Sequence, residues 1–455
     1  MPFASTARAL ALTLAVSAFP ALAADTAPPA PPAPEPMVGG ELTAFGAVRA
    51  ANRNGTIPAW TGGMSQPPPD VYTPGQHMRD PFPDDTRWFT VRADEVERYK
   101  SRLTAGQIAL FKKFPASFEI PMFPTRRTAA APQRIAEASI ENAAGRARLL
   151  ENGLAVTGAR VGIPFPAPKT GEEAMWNHLL RWQGESVTRT YGIAIPDERG
   201  YSTPSVYRED RLSTYAQGQD GPVAVHRRRV GLRPAEVAGS ALLTQQTLNP
   251  LQRPPVTWYK PPGEKTLPVR APDFAYDTPD PAAGGLRTAD MLDMFSGLMD
   301  RFSFELLGRR EMYVPYNAWR LLAPDLSPEE VFWSAHPNPT LTRYELHRVW
   351  VVEATLKRGL RHAFPRRVYY LDEDSWQILM AEHYGPEGEL ARYAEVHPIV
   401  HPQVPVLLPA REVTYDLTSG RYLVVGLDGA EKPPVFDRPL KPEDFTPEAL
   451  VPKRR

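Results

Sequence analysis

The sequence predicts an α+β protein: a large curved antiparallel β-sheet covered by helices on its concave apolar face, with long Pro-rich irregular connections. Three observations predict it. The hydrophobic period is 3.6 in several segments before residue 185 and 2 after it. Many of the period-2 segments are joined by short acidic or glycine turns, which suit hairpins. Proline makes up 52 of 455 residues, roughly twice average usage, and it marks strand ends and edges rather than strand centres.

The elements follow in chain order. Residues 1–23 have the form of a secretory signal peptide: Arg8 is the one positive charge, an apolar run covers 9–18, and the small residues Ala21 and Ala23 precede the expected cleavage site near Ala23. Residues 24–40 are a Pro/Ala-rich linker, with PPAPPAPEP over 28–36 as a stiff polyproline II tether. Residues 41–455 are expected to be a single large domain, with 41–184 mainly coil and helices and 185–455 mainly antiparallel strands. Turn signals fill 41–83. Two helices are expected within 93–114, a third over 132–150 and a fourth over 171–182. Asp94 is a candidate cap for the first, and Thr104 with Gln107 forms a capping-box pattern that starts the second. In the last, Met175, His178, Leu179 and Trp182 share a stripe.

Strands are expected over 187–195, 205–215, 223–231, 254–259, 302–307 and 311–315, with Gly308 in a hairpin between the last two. The clearest succession is 344–355, 366–371, 376–384, 390–397, 411–417 and 421–427, a run of hairpins that implies a meander. Alternation sets Tyr344, Leu346, Trp350, Val352 and Ala354 on one face, against Glu345, His347, Val349, Val351 and Glu353 on the other.

Composition excludes several classes. Lys plus Arg equals Asp plus Glu, 52 each, which argues against a nucleic-acid partner. No later apolar run approaches the ~20 residues of a spanning helix, so an integral membrane protein is not expected. There is no cysteine, hence no disulfide framework and no lipid on an N-terminal cysteine. With the signal peptide, this predicts a periplasmic protein, soluble after cleavage, outside the reach of ATP- and NAD(P)H-driven chemistry.

Chemical motifs are sparse. His397 and His401 have i, i+4 spacing, but Pro398 and Pro402 argue against a helix, and two loop histidines are the expectation rather than a metal site. Ser240 follows Gly239 without the second glycine of a nucleophile elbow. Asp372, Glu373 and Asp374 in a hairpin turn should face solvent. No catalytic residue, metal or cofactor is expected. Arg227 and Arg229 share a face that reads as solvated sheet, with contact to an anionic head group or a partner as the alternative; the same applies to Arg126-Arg127 and Arg309-Arg310. Arg348 lies between Leu346 and Trp350 on the apolar face, so it needs an internal acid or an anionic ligand. The aromatic face is the main functional candidate. Trp333, Leu346, Arg348, Trp350, Val352, Tyr370, Trp376, Ile378, Met380 and Tyr384 are the residues expected to line a cavity, if they do not simply pack as core.

The segment RRVYYLDEDSWQILMAEHY over 366–384, followed by GPEGELARYAEVHP, resembles the β-meander of LolA/LolB-like lipoprotein carriers. GTIPAWTGG (55–63), FPTRRTAAAPQ (123–133), GIPFPAPKTGEEAMWNHLLRWQG (162–184) and GRREMYVPYNAWRL (308–321) resemble the DUF1329 family, and the likeness runs from about Glu41 to Val451. The resemblance implies a half-barrel closed by helices around a hydrophobic cavity for acyl chains, and association with outer-membrane proteins and RND-type exporters. The chain is more than twice the length of an ordinary LolA and lacks the cysteine that tethers LolB-type receptors. It implies a periplasmic carrier or chaperone for a lipid or hydrophobic small molecule, working with envelope transport proteins. The alternatives are a non-catalytic module that docks an outer-membrane barrel or RND-type exporter and, third, an envelope hydrolase.

Overall fold

A computed structural model describes Met1 and residues 37–150 and 153–450. The chain divides into two compact units, Met1–Pro36 and Met37–Arg455. The signal-peptide reading and the tether over 28–36 lie outside the described residues. All the described helices and strands belong to the second unit.

Residues 41–83 are coil, as their turn signals predict. Two short strands, β1 (Phe89–Val91) and β2 (Ile120–Met122), flank the first helices, α1 (Val96–Tyr99) and α2 (Ala105–Lys113). Thr104 Oγ1 accepts from the Gln107 N–H, and Gln107 Oε1 accepts from the Thr104 N–H, both at 3.0 Å, so the capping box forms. Asp94 caps nothing; residues 93–102 break into short turns. The expected helix over 132–150 stops early. It is α3 (Gln133–Glu141), followed by a wide turn at Gly145 (φ +102°) and the hairpin of β3 (Arg148–Leu150) with β4 (Ala155–Thr157). Helix α4 spans Gly171–Leu180 with Thr170 as its cap.

The strands then run β5 (Ser186–Ala194), β6 (Ser205–Ser213), β7 (Val225–Arg233), β8 (Ala241–Gln246), β9 (Val256–Lys260), β10 (Val269–Arg270), β11 (Phe302–Pro315), β12 (Tyr344–Leu356), β13 (Arg366–Asp372), β14 (Ile378–Tyr384), β15 (Leu390–His401), β16 (Val406–Asp416), β17 (Tyr422–Leu427) and β18 (Val435–Phe436), with a one-turn helix α5 (Pro328–Val331) before β12. All but β3 and β4 join one sheet of 16 strands. Its main body is two antiparallel meanders, β5 to β10 and β11 to β17, joined where β17 pairs with β5 through Val424 and Ala194. The sheet is open: among the described residues β10 ends one side, and on the other β12 carries β11 along its length and the short β2–β1 pair at Tyr344.

Three strand expectations are corrected. Residues 302–315 form no hairpin: β11 is one strand along the whole of β12, and the register shift at Leu307, beside Gly308 (φ +93°), makes a bulge. Strand β15 does not end at His397. Pro398 is accommodated at a register shift, opposite Pro409, and the strand reaches His401. His397 and His401 are therefore buried strand residues, not loop ones. Trp376 belongs to the turn before β14, at φ +64°.

The C-terminal meander is buried on both faces rather than one. Helix α2 lies on β14 and β15, and α4 lies on β11 and β12. Glu345, His347, Val349 and Val351, expected on the less apolar face, are all buried.

Candidate functional site

Eight of the ten residues singled out in the sequence are divided between two interiors. Leu346, Tyr370 and Met380 belong to the core cluster under α1 and α2, with Tyr384 packed against it. Val352, Trp376 and Ile378 belong to the cluster under α4, with Trp350 against it, stacked on Trp376 at 6.1 Å. Alternation fails in β14 because Leu379 is unpaired at a register shift, so Ile378 and Met380 turn to opposite faces. Trp333 is on the surface, 37% exposed. Arg348 finds an internal acid: Nη1 pairs with Glu373 at 3.3 Å and donates to the Ala50 carbonyl at 3.2 Å.

The turn Asp372-Glu373-Asp374 does not face solvent. Its residues are 0%, 1% and 4% exposed, because arginines and the N-terminal coil close over it. Arg127 grips Asp374 with two bonds of 2.9 and 2.6 Å, and the Val48 N–H donates to Glu373 at 3.2 Å. Tyr316 O–H donates to Asp372 at 3.0 Å. Burial, then the charge of Asp374, raises the Asp372 carboxyl above the usual range. His347, Asp372 and Asp374 have donor atoms within 4.8 Å of one another, but both oxygens of Asp374 are taken by Arg127. The cluster works as a clasp between coil and turn.

The open space lies elsewhere, on the N-terminal meander. A cavity of about 380 Å³ sits between β7, β8, β9, helix α4 and the segment 289–300. This is within the usual range of ligand sites, roughly 300–1,000 Å³. Ala224, Val225 and Leu242 form its sheet wall, Trp176 and Leu179 its helix wall, and Met299 part of the cover. Helix α4 can serve two interiors because it is apolar on more than one side. His178 and Met175 pack inward, with the His178 ring pushed down to about 3 by burial, while Trp176, Leu179 and Leu180 reach the cavity. None of the ten residues named from the sequence lines it.

One end of this cavity is charged. Cross-strand register sets Arg211 beside Arg227, and Glu209 between Arg189 and Arg229. Arg227 and Arg229 share a face, as alternation predicts, but it is not solvated: the segment 280–300 covers it. Arg229 and Arg287 both pair with Asp280 at 2.7 Å. Arg181 pairs with Asp293 at 2.5 Å and Arg227 with the same carboxylate at 3.3 Å. Despite burial, these arginines hold Asp280 and Asp293 well below the carboxylate range. Arg228 points to the other face, onto Asp210 at 2.7 Å. Beyond Arg227 is a small polar chamber of about 40 Å³, which shares Glu209, Arg227 and Leu292 with the cavity. The sequence alone does not single out Arg189, Glu209 and Arg211. The available signal is charged residues two apart on two successive strands, Glu209 and Arg211 on β6 and Arg227 and Arg229 on β7, with the single charge Arg189 on the strand before them.

The described residues thus hold an apolar cavity with one charged end. The profile of a protein family of unknown function, DUF1329, matches residues 90–451, and the chain belongs to that family. It is 39% identical over 420 residues to the uncharacterized protein PA3922 of Pseudomonas aeruginosa, covering 91% of each chain. Solved structures are more distantly similar. A DUF1329 family protein from Desulfovibrio piger is 14% identical with a TM-score of 0.41, over 59% of this chain and 92% of that one. The LolA superfamily protein NE2245 from Nitrosomonas europaea is 15% identical with a TM-score of 0.36, over 61% and 98%.

Proposed function

We propose that this protein is a periplasmic carrier that sequesters a hydrophobic molecule in the cavity of its N-terminal meander. The cavity itself carries this reading: about 380 Å³ of mainly apolar-walled space in a molecule whose other meander is packed on both faces. At ~0.8 kcal/mol per buried methylene, a chain of a dozen carbons gains enough to be held, and its hold is relaxed when the cover opens. The form of residues 1–23 supports export, and among the described residues no helix is long and apolar enough to cross a membrane. An envelope transport protein is the natural giver or receiver of the cargo. Leu251, exposed at the cavity rim beside Pro250 and Pro254, marks where it would approach.

The test is uptake of a fluorescent long-chain fatty acid by the purified protein. Saturable binding at one site is expected, and Thr244→Trp, which fills the cavity from β8, should weaken it at least tenfold with the fold intact by circular dichroism. No uptake by wild type, together with no lipid in its solvent extract, would sink the carrier reading.

A further inference from the structure

Six arginines and four carboxylates gather at the charged end of the cavity, seven of them buried and Arg189, Arg227 and Asp293 half-buried. Asp293 takes Arg181 and Arg227. Glu209 takes Arg189 at 3.2 Å, Asp280 takes Arg229 and Arg287, and Glu412 takes Arg287 at 2.5 Å. Arg211 takes none of them. It is 3% exposed, its Nη1 makes one 3.5 Å contact to the Gly184 carbonyl, and its Nε is buried without a partner. Six guanidiniums against four carboxylates leave a surplus of two positive charges.

A buried charge without a counter-charge is costly, and proteins normally pair it. Burial, then the charges of Arg227 and Arg181, push the Arg211 guanidinium down to about 9, so it remains charged at neutral pH. Arg211 lines the 40 Å³ chamber, and Arg227 lines both that chamber and the cavity. The chamber is the open space beside Arg211 where an anion could meet it, and it shares Glu209, Arg227 and Leu292 with the apolar cavity. A water needs roughly 10–15 Å³ of such space, so the chamber admits a head of a few atoms. It excludes a sugar or a glycerophosphate. A guanidinium fork matches the two oxygens of a carboxylate.

We infer that the chamber is a carboxylate seat, and that the cargo is a long-chain carboxylate whose head meets Arg211 and Arg227 while its chain lies in the large cavity. This inference rests on the carrier reading.

Calorimetric titration of the full chain with laurate, 1-dodecanol, dodecyl phosphate and butyrate tests it. Laurate should bind at least tenfold tighter than dodecanol, and butyrate at least a hundredfold weaker than laurate. Arg211→Met should bring laurate to within threefold of dodecanol while leaving dodecanol unchanged; Arg211→Gln serves if the methionine variant does not fold. Equal binding of laurate and dodecanol by wild type overturns the carboxylate seat and leaves the carrier standing. So does an unchanged laurate preference in both folded variants. Tighter binding of dodecyl phosphate than of laurate overturns the choice of carboxylate. Butyrate as tight as laurate makes the chamber a small-anion site without a chain. Failure of every long-chain probe overturns the carrier reading and this inference together.

Discussion

At the residue scale, Arg127 has the clearest energetic role. Its guanidinium is buried between Asp374 and Glu373, 2% exposed at the side chain, as are both acids. Arg127→Ala strands those carboxylates in the interior. Breaking one side of a buried pair costs about 3–5 kcal/mol, and urea unfolding should report a loss of that order; a loss below about 1 kcal/mol would contradict the clasp. Asp372 carries a pH prediction. Its carboxyl is raised in the folded state, by burial and by Asp374. A raised group contributes stability that is present below the unfolded value and lost as pH rises through the folded one. Asp280, Asp290 and Asp293 are lowered by their arginines although burial opposes it, so their contribution is present above the ordinary carboxylate range and lost as pH falls below it. Stability should therefore peak in mildly acidic solution. Asp372→Asn keeps acceptors for Tyr316 and Ser375 and should flatten the decline on the neutral side, measured by thermal melts from pH 4 to 8. An unchanged slope would show that Asp372 is ionised at no cost.

At the element scale, α2 reaches the sheet through a gap that only glycine leaves. A Cβ on Gly106 would lie 2.0 Å from the Tyr393 ring, and the Gly106 N–H donates to Glu382 at 2.9 Å. Gly106→Ala should thus destabilise the protein, although alanine favours a helix interior by about 1 kcal/mol; a stabilised variant would mean that α2 docks less closely. Thr104→Ala removes the capping box and should cost about 1 kcal/mol in the same unfolding assay. The capping box is legible in sequence, as is most of the meander from β12 to β17, because most of its turns are short and their polar residues interrupt an apolar rhythm. Strand β8 is not, since ALLTQQ has no alternation. The continuity of β11 is hidden because Gly308 signals a turn and a bulge equally well. The pairing of β17 with β5 joins positions more than 200 residues apart in sequence, and no local pattern encodes it.

At the scale of the whole molecule, two meanders of one sheet have different interiors. The C-terminal one is filled by Trp350, Trp376, Tyr369, Tyr393 and their neighbours. The N-terminal one is spanned by segments rich in proline, among them Pro250, Pro254, Pro255 and Pro272, which bridge the sheet without filling it. Sequence pattern alone puts the cavity under the richest aromatic face. Large side chains draw that inference, yet they are also what fills a core to crystal-like density. The charged face of β5, β6 and β7 reads as solvated because the segment that covers it, 280–300, has no periodic pattern to announce it. Of that face, alternation brings out only Arg227 and Arg229.

The carrier reading is tested most directly by photocrosslinking with a twelve-carbon fatty acid that carries a diazirine near its chain end. The labelled peptides should come from 223–260 and 289–300, and Thr244→Trp should suppress the labelling. Labels that fall instead on β12 to β14, or a chain that takes no label above a competitor-blocked control, would contradict it.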